Sequence, residues 1–226
     1  MKVLALETST PWCSVALYRD GEVLADGEEA GQRHSELLLP MVRALLARAG
    51  ESIQSLDGIA FGCGPGSFTG VRIACGVAQG LAMGAGLDMA PVCTLLALAQ
   101  ASGRDRVLAC LDARLGELYL AAYVQDVDGW CEHVAPMLCK ALDAPPLPGA
   151  GWYGAGSGFA VAGEALRQRY AQQLSDCDGA LLPMARDVAL LGMRDFQSGR
   201  AVPLAQAAPL YVRDKVALTT RERLAP

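Results

Sequence analysis

Apolar positions in the first thirty residues come in short blocks separated by turn residues. Val3–Glu7 is too short an apolar run for a helix and stops at Thr8, Ser9 and Thr10. Cys13–Tyr18 follows, then Asp20-Gly21, then Glu22–Asp26. An Asp-Gly pair between two such blocks signals a two-residue hairpin. The chain therefore opens strand, polar turn, strand, tight turn, strand. The same order returns in the middle: Arg106–Leu111 ending on Asp112, the polar turn ARLGE, Leu118–Val124, the turn DVDG and a strand starting at Trp130. Each first run ends on a carboxylate, Glu7 or Asp112, and each hairpin closes on Asp-Gly. This reads as an internal duplication: two related α/β lobes meeting near residues 101–105. The expected lobes are 1–102 and 103–205, with the tail 206–226 packing back on the first.

Helical spacing is expected over Ser35–Ala49, stopped by Gly50, and over Thr69–Gly84 and Thr94–Ala101, the last with Thr94 as N-cap. In the second half Gly158–Leu174 and Pro183–Gln197 read as helices, with Pro183 in a first turn, and 143–151 as a proline-rich loop.

Two of these helices are unusual. On Ser35–Ala49, the residues Glu36, Pro40, Arg43 and Ala47 fall on one narrow stripe, and apolar side chains cover most of the remainder. A surface helix ordinarily shows an apolar arc of about 100°, and this one spans roughly twice that. In the second helix Gly76, Gly80 and Gly84 recur at every fourth position beside a row of Ala74, Ala78 and Ala82. An interior glycine costs about 0.8–1 kcal/mol in helix propensity relative to alanine. Close backbone approach to a sheet or another helix would offset that cost. The expected interface positions are Leu38, Met41, Val42, Leu45 and Leu46 on the first helix, and Arg72, Ile73, Gly76, Val77, Gly80, Met83 and Gly84 on the second. Packing within the chain's own core is the alternative.

GCGPGSFTGVR, residues 62–72, follows the apolar run Gly58–Phe61 and leads into the glycine-spaced helix. Glycines admit close backbone approach, and free N–H groups at a helix start attract anions. Ser67 or Thr69 is placed to cap the helix. The stretch is no Walker A loop, since Val71 and Arg72 follow Gly70 where Lys and Ser/Thr are needed. It fits a phosphate cradle and a rigid strand-to-helix turn equally well. Candidate cofactor contacts are Gly64, Gly66 and Ser67, together with Glu7 and Asp112, because ligand sites of open α/β sheets lie at strand ends. Held through water, Mg²⁺ would suit two such carboxylates; turn-facing carboxylates that bind neighbouring groups are the other reading.

Composition narrows the function classes. Hydrophobic residues are 52 % and charged residues 19 % of the 226, which favours a sizeable core over disorder. A net charge of −5 argues against a broad basic face for nucleic acid. MKVLALETSTPW is apolar for too short a stretch to be a signal peptide, and no run reaches the roughly 18 apolar residues of a membrane span. Eight cysteines without a C-x-x-C pair read as buried hydrophobes in a reducing cytoplasm, not as disulfides or a zinc site. The two histidines, His34 and His133, lie far apart in sequence, so no paired-histidine metal motif exists, and His34 reads as a helix-start residue. No G-x-S-x-G nucleophile motif is present.

LALETST followed by CSVAL, then RHSELLLPMV, GPGSFTGVRI leading to AQGLA, LDARLGELY and PLYVR together resemble the bacterial TsaB (YeaZ) family, in order, from Val3 to Arg213. GPGSFTG-x-R is the most specific piece, and 130–205 the least. The resemblance implies an α/β, actin-like (ASKHA, RNase H-like) two-lobed fold. It implies a cytoplasmic role in making N6-threonylcarbamoyladenosine at position 37 of tRNA, as a non-catalytic subunit. The expected partners are TsaD, a catalytic paralogue holding metal through two histidines, and TsaE, an ATPase. A TsaC-type enzyme would supply threonylcarbamoyl-adenylate. ATP, ADP and metal then belong to the partners or the assembled interface, with no cofactor intrinsic to this chain and tRNA reached through the complex. The two unusual helices are where the family bundles with TsaD, or with a second copy when alone. Glu7 stands where relatives often carry Asp, and Gln206, Ala207 and Ala208 precede PLYVR where relatives often place a carboxylate. A small-molecule kinase of the same superfamily is the alternative function; a peptidase, without zinc motif or nucleophile, is a more distant one.

Overall fold

A computed structural model describes residues 1–213. The first sheet contains β1 (Lys2–Glu7), β2 (Trp12–Arg19), β3 (Glu22–Glu29), β4 (Gly58–Gly64) and β5 (Met89–Cys93). The second contains β6 (Arg106–Arg114), β7 (Glu117–Asp126), β8 (Gly129–Cys139), β9 (Trp152–Ala155) and β10 (Leu174–Asp178). Their orders are β3-β2-β1-β4-β5 and, from the matching end, β8-β7-β6-β9-β10. In each, the first three strands in chain order pair antiparallel and the last two add in parallel. One topology, used twice, is what the repeated run-turn-run pattern implies.

Five helices cover the sheets: α1 (His34–Ala49), α2 (Phe68–Ala85), α3 (Thr94–Ala101), α4 (Gly158–Arg169) and α5 (Ala185–Gln197). α1 and α2 lie side by side on the first sheet and enclose a core of Leu4, Leu6, Leu38, Leu45, Phe61 and Ala78. α4 covers the second sheet around Trp152, Leu166 and Tyr170. Chain order and packing part company at α5. It lies within 103–205 yet packs on β1, β2, β4 and β5 of the first sheet. α3 precedes the expected boundary yet packs on β6 and β7 as well as on α5, so these two helices form the layer between the sheets. After α5, still ahead of the expected tail, the chain pairs Val202 with Met89 at the free edge of β5. Residues 214–226, the rest of the expected tail, lie outside the described residues.

Three local expectations are corrected. Thr94 is the first helical residue of α3 and Cys93 its N-cap; the Thr94 hydroxyl instead accepts the Gly64 N–H at 3.1 Å, tying α3 to the glycine-rich loop. α4 stops at Arg169, and the end of the expected 158–174 helix turns into β10, whose Leu174 pairs with Trp152. α5 starts at Ala185 behind the N-cap Met184, one turn boundary after Pro183.

The wide apolar arc of α1 divides. His34, Leu38, Val42, Leu45 and Leu46 face the core, while Leu39, Pro40, Ala44 and Ala47 stay outside. Four expected interface residues, Leu38, Val42, Leu45 and Leu46, are therefore buried in the chain's own core and present nothing to a partner. Their spacing is that of an ordinary core stripe, and the excess apolar width lies on the solvent side.

Candidate functional site: the interlobe cleft and the outer face of helix α2

A cleft of about 920 Å³ separates the lobes. One wall is the β1–β2 turn (Ser9–Pro11) and the start of α2; the other is the β6–β7 hairpin (Leu111–Leu115) and the start of α4. The tail residues Leu210–Arg213 also line it. The two equivalent hairpins thus face each other, and the duplication places the ends of β1 and β6 on opposite walls.

The two strand-end carboxylates have different surroundings. Glu7 is fully buried and does not line the cleft. Its Oε1 accepts the Ser9 N–H at 2.6 Å, while Oε2 has no partner. Burial pushes its carboxyl up to about 7, against the opposing pull of the Ser9 and Thr8 N–H groups. Asp112 does line the cleft, where its carboxylate accepts the Arg114 N–H at 2.8 Å and pairs with the Arg114 guanidinium at 3.2 Å. One carboxylate is sealed away from the cleft and the other is paired with an exposed arginine, so the two do not converge on one point of the cleft. Among the described residues no cluster of three His, Cys, Asp or Glu side chains is placed to hold a metal. His34 is buried, with Nε2 2.9 Å from the Thr10 carbonyl, and His133 lies on β8 beside Trp152, so the two imidazoles serve different lobes.

The glycine-rich loop is crowded by protein. A Cβ at Gly62 would collide with Glu7 Oε2, one at Gly66 would lie 2.7 Å from Ser9 Cβ, and one at Gly70 would collide with the Thr8 carbonyl. Gly64 has φ +104°, and a Cβ there would lie 2.9 Å from the Leu210 carbonyl. Ser67 caps α2, accepting the Gly70 N–H at 3.3 Å, and its own N–H donates to Ser9 at 2.8 Å. The glycines let the loop press onto the β1–β2 turn and the tail. The rigid-turn reading accounts for them; Gly66 and Ser67 also border the cleft, while Gly64 does not.

The glycines inside α2 are the reverse. Gly76, Gly80 and Gly84 are exposed, and a Cβ at each would meet nothing within 4 Å. Beside them lie Met83, 74 % exposed, the exposed Arg72 and the half-buried Ile73 and Val77. Met41 of α1 is half-buried too. Of the expected interface positions, these eight remain available at the surface. Among the described residues no contact compensates for the three glycines.

Sequence reasoning missed the cleft's rim. Among the described residues, Phe68, Leu115, Val161, Leu210 and Tyr211 are five of the ten large hydrophobics left exposed, and all five line this cavity. Phe68 carries the Arg72 guanidinium 3.7 Å over its ring, and the Arg72 Nε donates to the Tyr211 hydroxyl at 2.7 Å. The available signal was Leu115, an apolar side chain in the otherwise polar turn ARLGE.

The comparisons with known proteins agree with this architecture. The family model described as "TsaD: tRNA N6-adenosine threonylcarbamoyltransferase" matches residues 27–149. The "tRNA threonylcarbamoyladenosine biosynthesis protein TsaB" of Escherichia coli (strain K12) is 39 % identical over 225 residues, covering 96 % of each chain. This chain belongs to the TsaB (YeaZ) family. The Haemophilus influenzae protein of the same name is 34 % identical over 96 % of this chain and 95 % of its own. The solved structure "YeaZ from Pseudomonas aeruginosa" superposes with a TM-score of 0.85 at 39 % identity, covering 93 % of this chain and 99 % of that one. The two-lobed, duplicated α/β architecture is accordingly the actin-like fold that the TsaB (YeaZ) resemblance implies. No described helix is long and apolar enough to cross a membrane.

Proposed function

We propose that this TsaB-family chain is the non-catalytic accessory subunit of a tRNA threonylcarbamoyladenosine synthase. It docks through the outer face of α2 onto a TsaD-type catalytic paralogue, or onto a second copy when alone. A TsaE-type ATPase joins the assembly in the cytoplasm, nucleotide and metal are held by the partners or at the joint, and tRNA is reached through the complex. The observation that carries this reading is the row Gly76, Gly80 and Gly84, which none of the described residues covers. Three interior glycines weaken a helix by roughly 2–3 kcal/mol in propensity. A partner helix approaching at backbone contact distance uses that groove. The sealed Glu7 and the Arg-paired Asp112 support a subunit without its own metal-assisted chemistry.

The test is association with the TsaD-type partner, followed by size exclusion with light scattering. A Cβ at position 80 meets none of the described residues within 4 Å, so Gly80→Leu is expected to leave the monomer folded and to weaken the complex at least tenfold. Normal association of folded Gly80→Leu sinks the α2 interface. Phosphotransfer by the chain alone, abolished by Asp112→Ala, sinks the non-catalytic reading.

A further inference from the structure

After Val202 the chain leaves the edge of β5 and crosses from one lobe to the other. On the first lobe it is fixed at three points. The Gln79 side chain of α2 donates to the Ala207 carbonyl at 2.8 Å, the Leu210 N–H donates to the Cys63 carbonyl at 2.7 Å, and Tyr211 receives Arg72. Gly64 is bare where the Leu210 carbonyl passes. Two residues further on, Arg213 belongs to the second lobe. Its guanidinium donates to the Ala113 carbonyl at 2.9 Å and pairs with Glu117 at 2.8 Å, with its side chain only 17 % exposed. Those two acceptors flank the tip of the β6–β7 hairpin, where Arg114, Leu115 and Gly116 all take positive φ. Two non-glycine residues in that region cost energy that surrounding contacts must hold in place. Elsewhere the lobes meet through α3 packed on α5, through Tyr123 of β7 beside Cys93, and through Trp130 of β8 packed on the first lobe's core, and none of these residues lines the cleft.

We propose that residues 207–213 form a latch that ties the lobes together across the cleft, with Arg213 as its bolt and α2 as its mounting. The cavity between the hairpins then keeps its width because the latch spans it. Entry of any large ligand or partner segment requires Arg213 to leave Ala113 and Glu117. This inference rests on contacts inside the chain; it shares Arg72 with the α2 face proposed above for docking, and its test is carried out on the isolated chain.

Hydrogen exchange of the hairpin amides 112–117, read by mass spectrometry on the full chain, tests it, because opening of a region raises its exchange. Arg213→Ala is expected to speed their exchange at least fivefold, and Arg213→Lys, the variant to use if the alanine chain fails to fold, by less. The deciding variants are Gln79→Ala and Tyr211→Phe, which remove first-lobe anchors whose hydrogen bonds go to Ala207 and Arg72 and not to the hairpin. A latch requires both to speed hairpin exchange at least twofold, with β1 and β4 amides unchanged. If only the Arg213 variants act, Arg213 is a local brace of the hairpin and the latch is overturned. If none acts, it is overturned as well.

Discussion

Two sets of glycines stand within one stretch of some twenty residues and have opposite surroundings. Gly62, Gly66 and Gly70 are pressed against Glu7, Thr8 and Ser9. Gly76, Gly80 and Gly84 face open space. In the first set the missing side chain makes room for the chain itself, and its cost is met on folding. In the second no described residue meets the cost. The same residue type is crowded by its own chain in the loop and faces open space in the helix, and the proposed docking concerns the second set alone.

The largest effect that would break this contrast is at the crowded end. Gly70→Ala drives a methyl group into the Thr8 backbone carbonyl, which has no flexible end to give way. Overpacking of this kind costs about 3 kcal/mol. Urea unfolding showing full stability would mean that the loop is not held as tightly as the structure shows.

Next is Glu7, beneath the same loop. Its carboxyl is raised to about 7 from 4.5 by burial, so the folded state keeps a proton that the unfolded state gives up. Stability is therefore full below about pH 4.5, falls as pH rises toward 7, and is flat above it, a total loss on the order of 3 kcal/mol from this group. Glu7→Gln keeps an oxygen for the Ser9 N–H and removes the charge. The gap in unfolding free energy between pH 5 and pH 8 is expected to shrink in this variant; an unchanged gap would place the pH dependence elsewhere. Asp187, raised by burial to about 6, adds loss of the same sign in both proteins.

The smallest effect is at the open end. Gly80→Ala adds a methyl group that meets nothing and restores helix propensity, so the isolated chain gains about 1 kcal/mol. That is a rise of roughly 2–4 °C in the melting midpoint for a chain of this size. A fall in the midpoint would show that the glycine is needed inside the chain and would remove the contrast. Together with Gly80→Leu, which fits the monomer but obstructs a close neighbour, it separates the helix's own stability from its docking.

Much of this was legible along the chain. Asp20-Gly21 places a hairpin, because so few backbones satisfy a two-residue turn, and the returning pattern around Asp112 anticipates the second sheet's topology. α3 appears over its exact span, Thr94–Ala101, because its neighbours stop being periodic there. The end of α4 was not legible, since Leu174–Asp178 becomes a strand only through pairing with β9. Nor was the division of α1, where Leu38 and Leu39 look alike in sequence but one is fully buried and the other 42 % exposed.

Local alternation, turn chemistry and repetition thus determined the strands, the hairpins and the duplication, and the resemblance of motifs such as GPGSFTG-x-R indicated the family, because these depend on neighbours a few residues apart or on order along the chain. Tertiary structure alone decided which glycines are crowded, why Glu7 is sealed while Asp112 faces the cleft, that α5 returns to the first sheet, and that Arg213 reaches the second lobe. Each of those depends on atoms brought together from distant parts of the chain, and the apolar or polar character of a position does not say which neighbour folding will place beside it.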